Sequence, residues 1–444
     1  MICAARLSPT AVALLAVLAA SPAAAMTLSE AYGRAAGHDP AIAVSQAQYA
    51  AARQSGAIER GTLLPTVSAG GHYGYARTQS DGVFGRSQDR YPSWGAQVTA
   101  RQPLFRLDWF ARRERARALD DQAETAFRDR EQQTLVRVAE RYFAVLVAQD
   151  QLAQAEAEAA AVRESLEDTR KRYAVELVPG TDLKEAQARD DLAQARVLSA
   201  QTALETAREA LDEITGNGHV ALPVLPEDVV FPPLQPADAE QWVEAARAQS
   251  PRIALAAQAL RIAEADRERA RSAAMPALDL VASAGREDTS EFDFGQRTDD
   301  ARIGVELSVP IYAGGINHAA WQQAIANAQA AQAELRRVTL ETERTTRQLF
   351  RQVATAYAEV GAYARALESA RAAEAATRAG YDAGTRTITD VLDAKSRVVQ
   401  AQRDLNGTRY RLLLNLLQLK QLAGELSAQD FAQIDQLLRY PPAR

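Results

Sequence analysis

Thr66-Val67-Ser68-Ala69-Gly70-Gly71-His72-Tyr73-Gly74-Tyr75 alternates as an extended chain does, with Val67, Ala69, Tyr73 and Tyr75 on one side and Thr66, Ser68 and His72 on the other. Three more stretches repeat the pattern. Residues 93–101 set Trp94, Ala96, Val98 and Ala100 against Ser93, Gln97, Thr99 and Arg101. Residues 277–284 set Leu278, Leu280 and Ala282 against Asp279 and Ser283, and residues 301–309 set Ile303, Val305, Leu307 and Val309 against Arg302, Glu306 and Ser308. Each is close to the ~9–11 residues that cross a bilayer on a tilt. One apolar face, one polar face and aromatics near the ends form the pattern of a membrane barrel. A half-buried soluble sheet alternates in the same way, so the context of the strands decides.

That context is helical. Residues 104–178 contain neither Gly nor Pro, enough for a helix of about 100 Å at ~1.5 Å per residue. Val138, Val145, Leu152, Ala159, Leu166 and Tyr173 fall at seven-residue steps along it. Leu183, Val197, Leu204 and Leu211 continue the period, interrupted at Asp190. Val353, Val360 and Leu367, then Val391, Val398, Leu405, Leu412 and Leu419, do the same later in the chain. A seven-residue period implies left-handed supercoiling of adjacent helices. A fibrous coiled coil would account for these helices; it would not account for the strands.

The chain is written twice. Asp39-Pro40-Ala41-Ile42-Ala43 returns as Ser250-Pro251-Arg252-Ile253-Ala254, offset by 211 (251 − 40), and Leu64-Pro65 returns as Met275-Pro276. Residues 172–182 return as 380–390, offset by 208. Each copy reads as helix, strand pair, very long helix, turn and long helix. The expected organisation is an export signal at 1–25, a first repeat at 26–218, a Pro-rich linker at 219–239, a second repeat at 240–423 and a C-terminal segment at 424–444. The signal follows from Arg6, the apolar run 11–20 and the small residues ending at Ala25. Beyond it no apolar run approaches the ~20 residues of a spanning helix.

Composition narrows the function. Aromatic residues make up only 6% of a 444-residue chain, fewer than the cores of an enzyme of this length usually need. The one cysteine, Cys3, lies in the signal, and His38, His72, His219 and His318 share no ligand spacing, so no metal or cofactor is expected. A formal charge of −6 speaks against nucleic acid. No hydrolase or nucleotide-binding motif is present, and the chain reads as not an enzyme. Four strands cannot close a barrel, for which roughly eight is the minimum. Open edges are not tolerated in lipid, so a membrane location requires several copies to pool their strands.

Gly384-Thr385-Arg386-Thr387-Ile388-Thr389-Asp390-Val391-Leu392-Asp393-Ala394 resembles the aperture turn of the TolC family of outer-membrane channels. Ile214-Thr215-Gly216-Asn217-Gly218 resembles the end of that family's first repeat, and Leu63-Leu64-Pro65 before a strand fits as well. The expected fold is mainly α with a small β part: a long coiled-coil helical tunnel plus four membrane strands per chain. The resemblance implies a homotrimer whose strands pool into a twelve-stranded barrel, with the linker and the segment from Gly424 forming a belt around the tunnel. It also implies an exit duct in outer-membrane lipid, serving an efflux pump or type I secretion system with an inner-membrane transporter and a periplasmic adaptor. A soluble periplasmic coiled-coil adaptor or scaffold is the alternative.

Asp390 and Asp393, three apart, share a helix face. The reading that needs no function is an acidic pair stabilised at a helix N-terminus; the resemblance implies instead the rings that select cations in the pore. It also implies a gate latch of hydrogen bonds and ion pairs involving Tyr381 and Arg386 of the second copy and Thr181 and Asp182 of the first. The first copy departs from the family with Glu176 where Gly is usual, followed by Pro179-Gly180, which puts the partners of Arg386 in question.

Overall fold

The computed structural model describes residues 26–82, 85–216, 220–289 and 296–438, so the expected signal lies outside the described residues. In the first half, α1 (Leu28–His38) and α2 (Pro40–Gly61) lead into β1 (Thr66–Gly82), β2 (Gly85–Phe105), α3 (Trp109–Ala174) and α4 (Gly180–Thr215). The second half repeats this order with α5 (Ala239–Gln249), α6 (Pro251–Ser272), β3 (Ala277–Thr289), β4 (Gln296–Ser308), α7 (Ile316–Asp382) and α8 (Ile388–Ala423), followed by α9 (Ala428–Asp435). Where one opening helix was expected in each copy there are two, because Asp39-Pro40 and Ser250-Pro251 restart the chain: proline is accommodated at the first helical position and blocks continuation from before.

The 66 residues of α3 make a shaft of about 99 Å at ~1.5 Å per residue. Near the sheet α3 lies against α2 and α6; further along it pairs with α4 and α8. The heptad positions are where the seams close. Val138, Val145, Ala159, Leu166, Leu204 and Leu211 are buried, as are Val353, Leu367, Val391, Leu405, Leu412 and Leu419. Tyr173, at the tip, is 46% exposed. Asp190, which interrupts the apolar series, is itself buried in the seam, where it accepts from Gln194 Nε2 at 2.6 Å.

At mid-height the shaft is wrapped. Residues 220–238 run without helix, and Leu222 and Leu426 join Phe431, Tyr142, Leu146 and Leu417 in one apolar cluster. Trp242 Nε1 donates to the Pro236 carbonyl at 2.9 Å and Arg409 Nη2 to that of Glu227 at 2.6 Å, pinning the irregular segment to the second half, while Met26 N–H donates to the Ala221 carbonyl at 2.8 Å from the first. α9 closes the wrap: Phe431 is fully buried with its ring edge-on to Tyr32, and the Asp435 carboxylate accepts from the first N–H groups of α1 at 2.8 and 3.0 Å. Beneath it, Asn406 Nδ2 donates to Asp150 Oδ2 at 2.8 Å, joining α8 to α3, and burial pushes the Asp150 carboxyl up.

The sheet is antiparallel in the order β1-β2-β3-β4. All four strands exceed the apolar stretches that signalled them; β1 and β2 continue as a ladder from Tyr75↔Pro92 to Gly82↔Gly85. Alternation marks the part with one apolar face, whereas pairing needs only backbone, so polar residues such as Arg77 extend the ladder unseen.

Phe431→Ala is expected to cost about 3–5 kcal/mol, the range for an aromatic removed from a packed core. The check is denaturant unfolding together with protease accessibility of the C-terminal segment, which should rise before the shaft itself opens.

Candidate functional site

Two regions remain where the helical packing ends: the sheet face and the far tips of the hairpins. In the sheet, the register puts Val67, Ala100, Ala282 and Ile303 in one row across the four strands. Ala69, Val98, Ala284 and Ala301 form the next row on the same side. This face is uncovered: Val67 is 70% exposed, Tyr73 72%, Tyr75 79% and Ile303 77%, which leaves a continuous apolar surface rather than scattered residues. From Val67 to Tyr75 the band runs about 27 Å along the strand, about 21 Å in height at a ~40° tilt, near the ~25 Å apolar band of outer-membrane barrels. That length belongs to β1; on β3 and β4 the apolar side is shorter, and in the row of Gly71 and Ala96 charge returns on the same side, where Arg286 pairs with Asp299 at 2.5 Å. Where the sheet meets the helices, Leu104, Phe105, Phe110, Ile311 and Tyr312 are exposed.

The opposite face is polar. A concavity of about 650 Å³ is lined by Ser68, His72, Gln97, Thr99, Glu287 and Asp300. At its base, Arg101 reaches Asp279 and Glu306 at 3.0 Å each, and Arg106 reaches Asp279 at 3.2 Å, tying the strands of the two repeats together. β1 and β4 are the sheet's outer strands, each paired on one side within the chain.

At the tips, both hairpins use the same turn. Leu177 N–H donates to the Arg172 carbonyl at 2.9 Å and Glu176 N–H to that of Tyr173 at 3.0 Å; Thr385 and Gly384 repeat this onto Gly380 and Tyr381 at 2.8 and 2.9 Å. This C-terminal motif puts one residue in the left-handed region. In the second copy it is Gly384 at φ 73°; in the first it is Glu176 at φ 60°. The departure noted in the sequence is therefore a glycine position held by a side chain, with strain of about 1 kcal/mol. Pro179-Gly180 leaves the backbone course unchanged: Pro179 takes the N-cap place of α4 that Thr387 takes in α8, without a side-chain cap.

Asp390 closes a capping box in α8. Its Oδ2 accepts from Thr387 N–H and Oγ1, both at 2.8 Å, while Asp390 N–H donates to Thr387 Oγ1 at 3.2 Å. The Thr387 backbone and hydroxyl hold this carboxyl below the usual carboxylate range, with Arg386 adding to the effect. Asp393 is exposed one turn on, lining a groove with Glu158, Arg189 and Arg196. The first copy carries its own acidic pair at the same offset of 208: Asp182 matches Asp390 and Glu185 matches Asp393 (185 + 208). There Glu185 is engaged by Arg189 at 2.7 Å.

Of the four residues expected to form the latch, the second copy's pair, Tyr381 and Arg386, makes no hydrogen bond or ion pair to the first copy's Thr181 and Asp182 among the described residues. Thr181 Oγ1 donates to Asp182 Oδ1 at 3.2 Å, whereas Tyr381 Oη accepts from Arg172 Nη2 at 2.7 Å. Arg172 is steadied by Asp168 at 2.9 Å, so it spans from the end of α3 to the end of α7. Among the described residues the Arg386 guanidinium forms no ion pair within the chain; its stem crosses Gly380, where a Cβ would stand 2.8 Å from Arg386 Cγ. Sequence reasoning missed Arg172 and Glu185. The repeat offset applied to Asp393 finds Glu185; nothing local marks Arg172.

A duplicated helical shaft that ends in an open, amphipathic sheet is the subunit architecture of bacterial outer-membrane channels of known structure. It matches VceC of Vibrio cholerae with a TM-score of 0.76 and 17% identity over 89% of this chain and 96% of that one. It matches the outer-membrane channel OprN at 0.75 and 20% identity over 90% of each chain. In sequence, residues 31–217 and 242–425 match the family described as Outer membrane efflux protein. The chain is 32% identical over 415 residues to Outer membrane protein TolC of Vibrio cholerae, covering 93% of each. It is 30% identical over 416 residues to Alkaline protease secretion protein AprF of Pseudomonas aeruginosa, covering 91% of this chain and 86% of that protein. A third relative, Proteases secretion protein PrtF of Dickeya chrysanthemi, is 30% identical over 429 residues, covering 94% of this chain and 92% of that protein. The protein belongs to the outer membrane efflux protein family.

Removing the strain at Glu176 by Glu176→Gly is expected to stabilise the first tip, and Gly384→Ala to destabilise the second, each by about 1 kcal/mol. No atom lies within 4 Å of a Cβ at Gly384, so the second effect isolates backbone strain. Amide hydrogen exchange at the two tips should change in opposite directions.

Proposed function

We propose that three copies of this chain pool their strands into one closed barrel of twelve in the outer membrane, standing on a tunnel of helices that reaches into the periplasm. The observation that carries this reading is the open sheet. Its apolar face is uncovered, its opposite face is polar and ion-paired, and its two outer strands each have a free edge. Lipid tolerates neither free edges nor lone four-stranded sheets, and closure by rotation symmetry removes both. Among the described residues no helix is long and apolar enough to cross a membrane, so the sheet is the element suited to lipid contact. A soluble adaptor or scaffold, the alternative, would leave Val67, Tyr73, Tyr75, Ile303, Val305 and Leu307 in water.

The chain then acts as a passive exit duct. Relatives named for TolC and for protease secretion support efflux or type I secretion as its work, in concert with an inner-membrane transporter and a periplasmic adaptor. Symmetry brings three copies of Asp390 and Asp393 around the tunnel mouth, where clustered carboxylates favour cations. Tyr381, Arg386, Thr181 and Asp182 form the latch, with Arg386 reaching the first-copy pair of a neighbouring chain. Arg172 belongs to the same gate, because its bond to Tyr381 holds the two hairpin tips of one chain together. Charge-assisted bonds at exposed sites are directional yet weak enough to yield to a partner.

Planar-bilayer recordings test this reading. Asp390→Ala with Asp393→Ala should lower cation selectivity several-fold, and Arg172→Ala should lengthen open dwell times. Because Asp390 is held below its ordinary value of ~3.9, its share of the selectivity should persist as pH falls to about 4 and disappear only below that. Unchanged selectivity in the double variant would remove these residues from the pore.

A further inference from the structure

The outer side of the β1–β2 hairpin changes chemistry as it leaves the apolar band. Tyr73 stands opposite Trp94, Tyr75 opposite Pro92 and Arg77 opposite Arg90, all on the side that carries Val67 and Ala69. Tyr73 and Tyr75 meet edge-on with ring centroids 6.2 Å apart, and both are exposed. Aromatic rows of this kind mark the level where acyl chains give way to headgroups. Arg77 lies ten residues beyond Val67 (77 − 67). That is about 34 Å along the strand and about 26 Å in height at a ~40° tilt, the outer rim of a ~25 Å apolar band.

The row of Arg77 and Arg90 differs from the other charged rows on this side. On β3 and β4, Arg286 opposes Asp299 at 2.5 Å and Arg297 opposes Asp288 at 3.7 Å, each with a partner of opposite sign. Like charges directly opposite one another destabilise a ladder. The adjoining rows offer no carboxylate: Tyr75 and Pro92 stand on one side, Gln79 and Gln88 on the other. Both arginines are exposed, and among the described residues neither forms an ion pair within the chain. The last pair between β2 and β3 is Ser93↔Thr289, so β3 does not reach the row of Arg90. Two cations are thus held side by side, just above the aromatic rows, without a counter-charge of their own.

We propose that Arg77 and Arg90 hold a phosphate of a phosphorylated glycolipid in the outer leaflet, with Tyr73, Tyr75 and Trp94 against the lipid beneath it. An anion between two guanidinium groups turns their repulsion into a bridge, and each planar fork can give a phosphate two parallel hydrogen bonds. The charge balance selects the lipid. A phosphomonoester carries about −1.5 to −2 at neutral pH, which matches two arginines. The phosphodiester of a zwitterionic headgroup brings one negative charge and its own cation, and leaves the pair undercompensated. The inference rests on the barrel reading above and adds the lipid group that its outer rim takes, one site per chain.

The experiment uses the full chain in phosphatidylcholine nanodiscs doped with diphosphoryl lipid A or with the same glycolipid stripped of its phosphates. Native mass spectrometry counts the lipids that stay bound on release and, in the same spectrum, the chains. Arg77→Gln with Arg90→Gln should retain several-fold less diphosphoryl glycolipid than the unaltered protein. The stripped glycolipid should be retained equally by both. Arg302→Gln removes an exposed arginine from the polar face and should leave retention unchanged. Amide exchange across residues 75–92 should slow when the diphosphoryl glycolipid is added, and the double variant should lose that protection. Equal retention by the unaltered and doubly substituted chains, in a species of three chains, would overturn the site and leave the barrel standing. Protection by inorganic phosphate alone, with no gain from the glycolipid, would make the pair a free-anion site and overturn the lipid assignment. A chain that never enters the nanodisc would overturn both site and barrel.

Discussion

Everything in this chain turns on a backbone that cannot be left unpaired. β1 and β4 present N–H and C=O groups along edges that no other described element of the chain covers, beside a face of Val67, Tyr73, Ile303 and Val305 that water does not favour. In water such a sheet is an aggregation site, and in lipid an isolated one is excluded. The helices below it answer the same constraint at larger scale: α2 and α7 expose faces that their repeat counterparts, α6 and α3, bury.

Duplication makes this economical, and the places where the copies diverge carry the specific chemistry. Both hairpins turn through the same hydrogen-bond motif, yet one places Gly384 and the other Glu176 in the left-handed position. Both open their returning helix with an acidic pair. The second copy's Asp390 is held by Thr387, whereas the first has Pro179 in place of that cap and Glu185 engaged by Arg189. The second tip therefore offers an exposed carboxylate at Asp393 and an Arg386 without an intrachain ion pair among the described residues. In the proposed trimer, a symmetric wall with asymmetric tips would let one surface bind around a ring while only some positions act at its mouth.

Much of the fold was legible because its elements announce themselves through period. Seven-residue steps located the buried seams at Val145, Leu211, Val353 and Leu412, and two-residue alternation located the apolar face of each strand. Legibility ended where structure depends on backbone pairing or on which helix faces which. The polar extensions of β1 and β2 have no one-sided pattern to read. Asp190 looked like an interruption and is a buried member of the seam. At the tips the sequence marks Tyr381 but not its partner within the chain, Arg172, one residue before the last heptad position. That contact joins residues far apart in sequence and leaves no local trace.

The central claim is that this subunit completes its sheet only with copies of itself. Native mass spectrometry of the protein released from lipid nanodiscs measures that directly. The account predicts a single species of three chains that survives release from lipid. A single chain stably inserted in the bilayer, or a soluble monomer that never enters the nanodisc, would contradict it.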